Sequence, residues 1–308
     1  MTTASTVSIG VELLGGVVLA PLLPGLIQHW KARLQGRRGP TPLQPFRELH
    51  RLWGKSAVAV EGAGIVYRIA PAAAAASLLV AVLVVPVAAS APSLGVGRDV
   101  IALLGLLALA RFVVGAASWD TANGFSLMGS SRDLTIAVAA EGALILSLAV
   151  AALVAGTTSL PGLIAGTAGT APWGSPARGL AAVCFALVVV AEVGRQPVDN
   201  PDTHLELTMI HEGPLLEYAG RDLAYLQWGA AARHWLMLVV AAQVFLPHPR
   251  GVWAQLALLP VLLVVLCAGL ALTETLIAKL RILLVPRLLA IVAVAALLGV
   301  ASWLVQTA

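Results

Sequence analysis

The sequence predicts an all-α polytopic membrane protein, with about eight transmembrane helices and short cytoplasmic surface helices in its first and fifth loops. Three observations lead there. Of 308 residues, 59% are hydrophobic and 11% charged, whereas soluble domains carry about 25% charged residues. The apolar residues gather into runs near the roughly 20 needed to cross a bilayer. Lys and Arg concentrate in alternate loops. The whole chain, 1–308, reads as one transmembrane domain.

The apolar runs lie at about 7–30, 67–90, 98–119, 134–156, 177–194, 222–246, 252–279 and 284–305. Met1 to Thr6 contains no Lys or Arg. A cleaved signal peptide needs a basic start, so the first run is expected to be a retained helix. Gly15, Gly16, Pro21 and Pro24 make it the least regular. Pro71, Pro86 and Pro260 also fall in or near spans, where neighbouring helices can satisfy the freed carbonyls.

Loop 1, about 31–66, holds Lys31, Arg33, Arg37, Arg38, Arg47, Arg51 and Lys55. Pro40, Pro42 and Pro45 impose an extended approach, and a short helix is expected to start near Pro45. Phe46, Leu49 and Trp53 then share one face, with Arg47, Arg51 and Lys55 on another. Such a helix suits lipid headgroups or a soluble partner. Loop 3 adds Arg132, loop 5 adds Arg195 and Arg221, and loop 7 adds Lys279, Arg281 and Arg287. The even loops hold only Arg98, Arg178 and Arg250. Positive residues favour the cytoplasmic side, so the odd loops are expected inside and both termini outside. Loop 4, about 157–176, is uncharged and reads as an external loop without catalytic side chains.

Loop 5, about 195–221, is the unusual one. Between Glu192 and Asp222 lie Glu192, Asp199, Asp202, Glu206, Glu212, Glu217 and Asp222, seven of the chain's 15 acids. Asn200-Pro201-Asp202 reads as a helix start, Gly213-Pro214 as a break, and Gly220 as a stop. Leu205, Leu207, Met209, Ile210, Leu215 and Leu216 want burial, so this segment is expected to fold as a cap over the helix ends.

Glu12, Arg111, Glu141, Glu192 and Glu274 lie in or at the edges of apolar runs. A central Asp, Lys or Arg costs about 2.5–3.5 kcal/mol on insertion scales, and acids in spans usually face the protein interior. Glu141 is expected about two turns from the cytoplasmic end of its helix. Either it serves as a proton relay, since desolvation disfavours a charged carboxyl, or it is held in an ion pair with Arg111. His29, His50 and His248 read as interfacial, while His204 and His211 are placed to join a proton path. Cys184 and Cys267 lie far apart in apolar runs. Without clustered ligands, neither iron–sulfur nor zinc binding is expected in this chain.

These residues resemble the subunit 1 family of respiratory complex I, and more closely its hydrogenase branch, the membrane subunits of formate hydrogenlyase and hydrogenase-4-type enzymes. The resemblance rests on Ala191-Glu-Val-Gly-Arg195, Pro197-Val-Asp-Asn-Pro201, His204-Leu-Glu-Leu207, His211-Glu212 and Leu216-Glu-Tyr-Ala-Gly220, with Arg38-Gly-Pro40 and Leu43-Gln-Pro45 in loop 1. It implies a membrane anchor without a redox centre of its own, in a prokaryotic cytoplasmic membrane. An iron–sulfur small subunit and a hydrogenase-like large subunit with a nickel–iron centre would dock on the cytoplasmic face. Antiporter-like membrane subunits would lie alongside. By position, Glu141, Glu192, Asp199, Glu206 and Glu217 would form a proton or ion relay. Arg37, Arg38, Gln44, Arg195, His204, His211 and Glu212 would serve docking. Gly194 stands where the complex I branch has Asn, and Val198-Asp199-Asn200 replaces a Phe-Asp-Leu pattern; both count against quinone. The alternatives are a quinone-reducing complex I-type subunit or a stand-alone secondary transporter. No repeat relates the two halves, and polar residues gather at one face rather than at a transporter's midplane. Nothing suggests nucleic acid.

Overall fold

The computed structural model describes residues 3–58, 60–89, 97–169, 175–199 and 210–307. Each apolar run becomes helix. The first is a broken rod: α1 (Thr3–Leu13), a π segment (Leu14–Leu19) and α2 (Leu22–Leu34), bent by 55°. Gly15 lies so close to the Trp235 ring, and Gly16 to Val82, that a Cβ on either would collide; with Pro21, they mark where the rod gives way. A short helix, α3 (Gln44–Trp53), follows in loop 1, close to its expected start. Then come α4 (Ile65–Val84), α5 (Val100–Asp120), α6 (Gly124–Ala155) and α7 (Leu160–Thr167). The chain ends with α8 (Pro176–Glu192), α9 (Gly220–Val244), α10 (Val252–Leu276) and α11 (Val285–Thr307).

Five of these helical segments are long and apolar enough to cross a membrane, or six if the bent first pair is one span. Length and composition therefore do not distinguish all eight expected spans. The physical reason lies in α8, which has 17 residues, and in α9, which carries Arg221, Asp222, Arg233 and His234 but is largely buried by its neighbours.

Three details differ from expectation. α6 starts ten residues early, because Asn123 caps it by accepting the Phe125 N–H at 2.8 Å. It ends at Gly156, in the left-handed region with φ 67°. Arg132 and Asp133 thus belong to a helix rather than a loop, and Glu141 sits roughly 25 Å from the helix start instead of two turns. In α3 the buried apolar residue is Leu52; Phe46 and Leu49 are half-buried, and exposed Trp53 meets Tyr225 edge-on at 5.0 Å. Loop 4 contains α7, whose Leu160, Leu163 and Ile164 are buried.

α4 packs between α5 and α9, α11 lies on α6 and α8, and α10 lies on α2. Small residues such as Ala70, Ala74, Ala143, Ala181 and Ala232 fill much of the core, letting helix backbones approach closely. α6 meets loop 5 backbone to backbone: a Cβ on Gly129 would lie 2.6 Å from the Cα of Gly213. Val261, Val264 and Val265 of α10, and Ile291, Val294 and Leu298 of α11, are exposed. Such a surface needs lipid or another apolar face.

At one end of the bundle Arg98 grips Glu12 through two hydrogen bonds, 2.9 and 2.8 Å. Both side chains are buried, so Glu12 is not an interfacial acid but half of an internal clamp between α1 and the start of α5. Arg178 and Gln243, buried nearby, donate to the Val244 and Val87 carbonyls.

Candidate functional site

The charged residues at the other end form two linked groups. In the first, Arg111 of α5 donates to both carboxylate oxygens of Glu192, the last residue of α8, at 3.1 and 3.0 Å. The same guanidinium reaches Glu141 at 3.4 Å and Asp133 at 3.7 Å, both on α6. Arg233 of α9 adds a 2.9 Å bond to Glu192. Two cations thus face three acids in a buried site. Glu192 is gripped by both arginines, whereas Glu141 has 29% of its side chain exposed.

In the second group, Glu274 of α10 pairs with Lys31 of α2 at 3.0 Å and with Arg195 of loop 5 at 3.1 Å. Arg195 Nε donates to His234 Nε2 at 3.2 Å, and His234 Nδ1 lies 3.2 Å from the Ala230 carbonyl. That network assigns the imidazole proton to Nδ1. Arg195, expected to serve docking, is instead buried and bonded to Glu274 and His234 inside the fold.

Loop 5 is tied down at both ends. Asp199 accepts from Lys279 at 2.9 Å and, at 3.1 Å, from His211 Nδ1. At the other end Tyr67 and Tyr218 stack at 4.6 Å. Tyr218 donates to the Tyr67 carbonyl and Tyr67 to the Glu217 carbonyl. Burial opposes charge on Asp199, but the His211 hydrogen bond and the Lys279 ammonium more than offset it and hold the carboxyl well below the usual carboxylate range. A depressed folded pKa gives stability that is present above the unfolded value, near 3.9, and lost as pH falls towards the folded one. The Lys279 tie is therefore expected to persist from pH 7 down to about pH 5, well above that unfolded value. Amide-exchange protection of residues 210–216, corrected for intrinsic rates, should stay constant over that range and fall in Asp199→Asn at pH 7.

Two cavities flank these groups. The smaller, about 150 Å³, is lined by Arg111, Asp133, Glu192 and Arg233. The larger, about 550 Å³, lies between Pro21, Pro24 and Gln28 of the first rod, Gln44 and Glu48 of α3, and Arg195, Asp199 and Glu212 of loop 5. His211 and His234 line both.

The expected relay residues thus divide. Glu141, Glu192 and Asp199 join the charged groups. Glu217 stands apart, held by the Asn123 amide. Glu206 and His204 lie outside the described residues, as does the expected helix start at Asn200. Of the docking residues, Arg37 and Arg38 are exposed on loop 1, while Gln44, His211 and Glu212 face the larger cavity. Sequence reasoning missed Asp133, Arg233, His234, Lys31 and Lys279. One signal was available: with the helix started at Asn123, Asp133 and Glu141 fall eight residues apart on one face. Among the described residues, no three His, Cys, Asp or Glu side chains gather as a metal site would require.

Residues 8–305 match the family model described as NADH dehydrogenase. The chain belongs to the NADH dehydrogenase family. Within this family it is 34% identical over 279 residues to hydrogenase-4 component C of Escherichia coli K12, covering 87% of this chain and 86% of that relative. To formate hydrogenlyase subunit 4 of the same organism it is 34% identical over 281 residues, covering 88% and 89%. An NADH-quinone oxidoreductase subunit of Cereibacter sphaeroides is more distant, at 28% over 228 residues, covering 72% and 69%. The fold matches a chain of the membrane-bound sulfane sulfur reductase, an archaeal respiratory membrane complex. That match has a TM-score of 0.79 and 20% identity over 97% of this chain and 100% of that one. The protein is thus a multi-pass NADH dehydrogenase family member, a membrane anchor subunit of complex I-like type that works with partner subunits.

Proposed function

We propose that this subunit docks a soluble redox arm and converts its redox event into proton or ion movement through buried carboxylates. The arm consists of an iron–sulfur small subunit and a hydrogenase-like large subunit with a nickel–iron centre, and antiporter-like subunits receive the signal laterally. The chain crosses a prokaryotic cytoplasmic membrane eight times, with both termini outside and loops 1 and 5 in the cytoplasm. One observation carries the reading: the charged side chains run from loop 5 at Asp199, through His211 and Asp133, to Arg111, Glu192 and Glu141. A change of charge or position at the docking face alters the proton affinity of each neighbour along it. The greater identity to the hydrogenase-4 and formate hydrogenlyase relatives favours a hydrogenase-type arm.

Glu192→Gln and Glu141→Gln test it. Either change leaves two cations facing two acids, so the site stays balanced and the subunits should still co-purify. Protons moved per redox turnover, measured with the whole complex in proteoliposomes, should fall to below about a tenth, because a positioned acid–base group contributes factors of 10² or more. Wild-type ratios in both variants would reduce the chain to a structural anchor. A quinone-reducing role is the second reading, favoured by the 550 Å³ cavity; competition by a short-chain quinone for hydrogen-dependent turnover would support it.

A further inference from the structure

The two cavities share a wall, and the His211 ring is set in it, lining both. Nδ1 lies 3.1 Å from Oδ2 of Asp199, which lines the larger cavity. Nε2 lies 3.6 Å from Oδ1 of Asp133, which lines the smaller one. That 3.6 Å exceeds a hydrogen bond, and among the described residues Oδ1 of Asp133 is buried and accepts none. A buried acceptor without a donor is costly, and a shift of under about 1 Å would satisfy it. The ring retains 25% of its side-chain exposure and lines the larger cavity, so it is open to water from there.

A second observation concerns Gly194. It has φ +62°, and a Cβ there would lie 2.9 Å from Cγ and Nδ1 of the His211 ring. Any larger residue at 194 would displace the imidazole. The glycine that departs from the complex I pattern is thus what gives the ring its place. The charged groups around the ring are Asp199 and Lys279 on one side and Asp133, backed by Arg111, on the other, with His234 across the shared wall.

We propose that His211 is the proton-transfer joint between the two cavities. This rests on the relay reading above and adds its entry step. Asp199 accepts the Nδ1–H and fixes the tautomer, leaving the Nε2 lone pair open, as carboxylate–histidine pairs do. A proton from water in the larger cavity binds Nε2 to give the imidazolium. As the ring closes on Asp133, the Nε2–H bond breaks, an O–H bond forms at Oδ1 of Asp133, and the imidazole returns neutral with its Nδ1–H still on Asp199. Run backwards, the same step releases a proton to the larger cavity. Asp133 then hands it on within the Arg111 cluster, where Glu141 shares the same guanidinium.

The experiment measures protons moved per redox turnover by the intact complex in proteoliposomes. His211→Gln should bring the ratio below about a tenth of wild type. In His211→Ala, added imidazole, small enough for the larger cavity, should restore a substantial part. Asp133→Asn should lose the ratio without imidazole rescue. A wild-type ratio in His211→Gln overturns the joint, and so does a loss in His211→Ala that imidazole leaves untouched, since a ring that merely holds loop 5 gives that result. Should the His211 variants fail to assemble, Asp133→Asn decides alone, and a wild-type ratio there overturns the joint. The reference variants separate two failures. Coupling lost in Glu192→Gln and Glu141→Gln but kept in His211→Gln refutes only the joint; coupling kept in all refutes the relay itself.

Discussion

Arg111→Ala is expected to remove most of the folded subunit from the membrane. The arginine lies on α5, yet its guanidinium is shared by Glu192, Glu141 and Asp133 from α8 and α6. Its loss leaves Glu192 to Arg233 alone and takes the guanidinium away from Glu141 and Asp133. Removing one partner of a buried pair costs about 3–5 kcal/mol, because the remaining charge stays desolvated without compensation. That is a large share of the 5–15 kcal/mol by which domains are stable. The yield of intact complex and its thermal midpoint should both fall sharply. Arg111→Lys should recover only part, because one ammonium cannot reproduce a fork bonding two oxygens of Glu192 while facing two further acids. Arg111→Met combined with Glu192→Leu should be milder than Arg111→Ala, since Arg233 then balances one of the two remaining acids. A stable Arg111→Ala complex at wild-type yield would refute the arginine's bridging role.

Glu274→Ala is expected to be comparably severe for the opposite reason. It takes away the carboxylate that two buried cations, Lys31 and Arg195, share. The change should cost about 3–5 kcal/mol and loosen three elements at once: α2, α10 and the start of loop 5. A lowered thermal midpoint, with faster amide exchange at residues 194–199, would report it. Adding Lys31→Met to Glu274→Ala should regain part of the loss, because one of the two buried cations that lost the carboxylate is then gone. If the double variant is no more stable than the single one, the pairing is not what holds α2 to α10.

The positions of the helices were legible in the sequence because the bilayer requires long apolar runs, and loop 5 stood out by its acids. The count of spans was harder to verify for a physical reason. A helix enclosed by protein can carry Arg233 and His234 at little cost, so α9 no longer looks apolar enough for lipid. Glu141 and Glu192 could be picked out as acids in greasy surroundings, and Arg111 as a counter-charge for Glu141. Asp133 could not, because reading the start of α6 at residue 134 left it in a loop. Lys279 reads as one of the basic residues of loop 7, yet it folds back onto Asp199, 80 residues away. Pairings at such separation are set by how the helices pack, which no local pattern encodes. The same holds for Arg195: its place in a polar motif suggested a surface, while its partners on α9 and α10 put it in the interior.

The meeting of Gly129 and Gly213 has a mechanical meaning. Between most packed elements, side chains act as cushions that change rotamer when one element moves. Here backbone rests on backbone, so that compliance is missing. α6 is a single rod of 32 residues, about 48 Å long, and it bears Asp133 and Glu141 on the same shaft. A displacement of loop 5 at residue 213 is therefore delivered to that shaft close to full amplitude, and the two acids travel together. A push on loop 5 of a few tenths of an ångström is of the order needed to open or close a contact such as the one Asp133 makes with its imidazole neighbour.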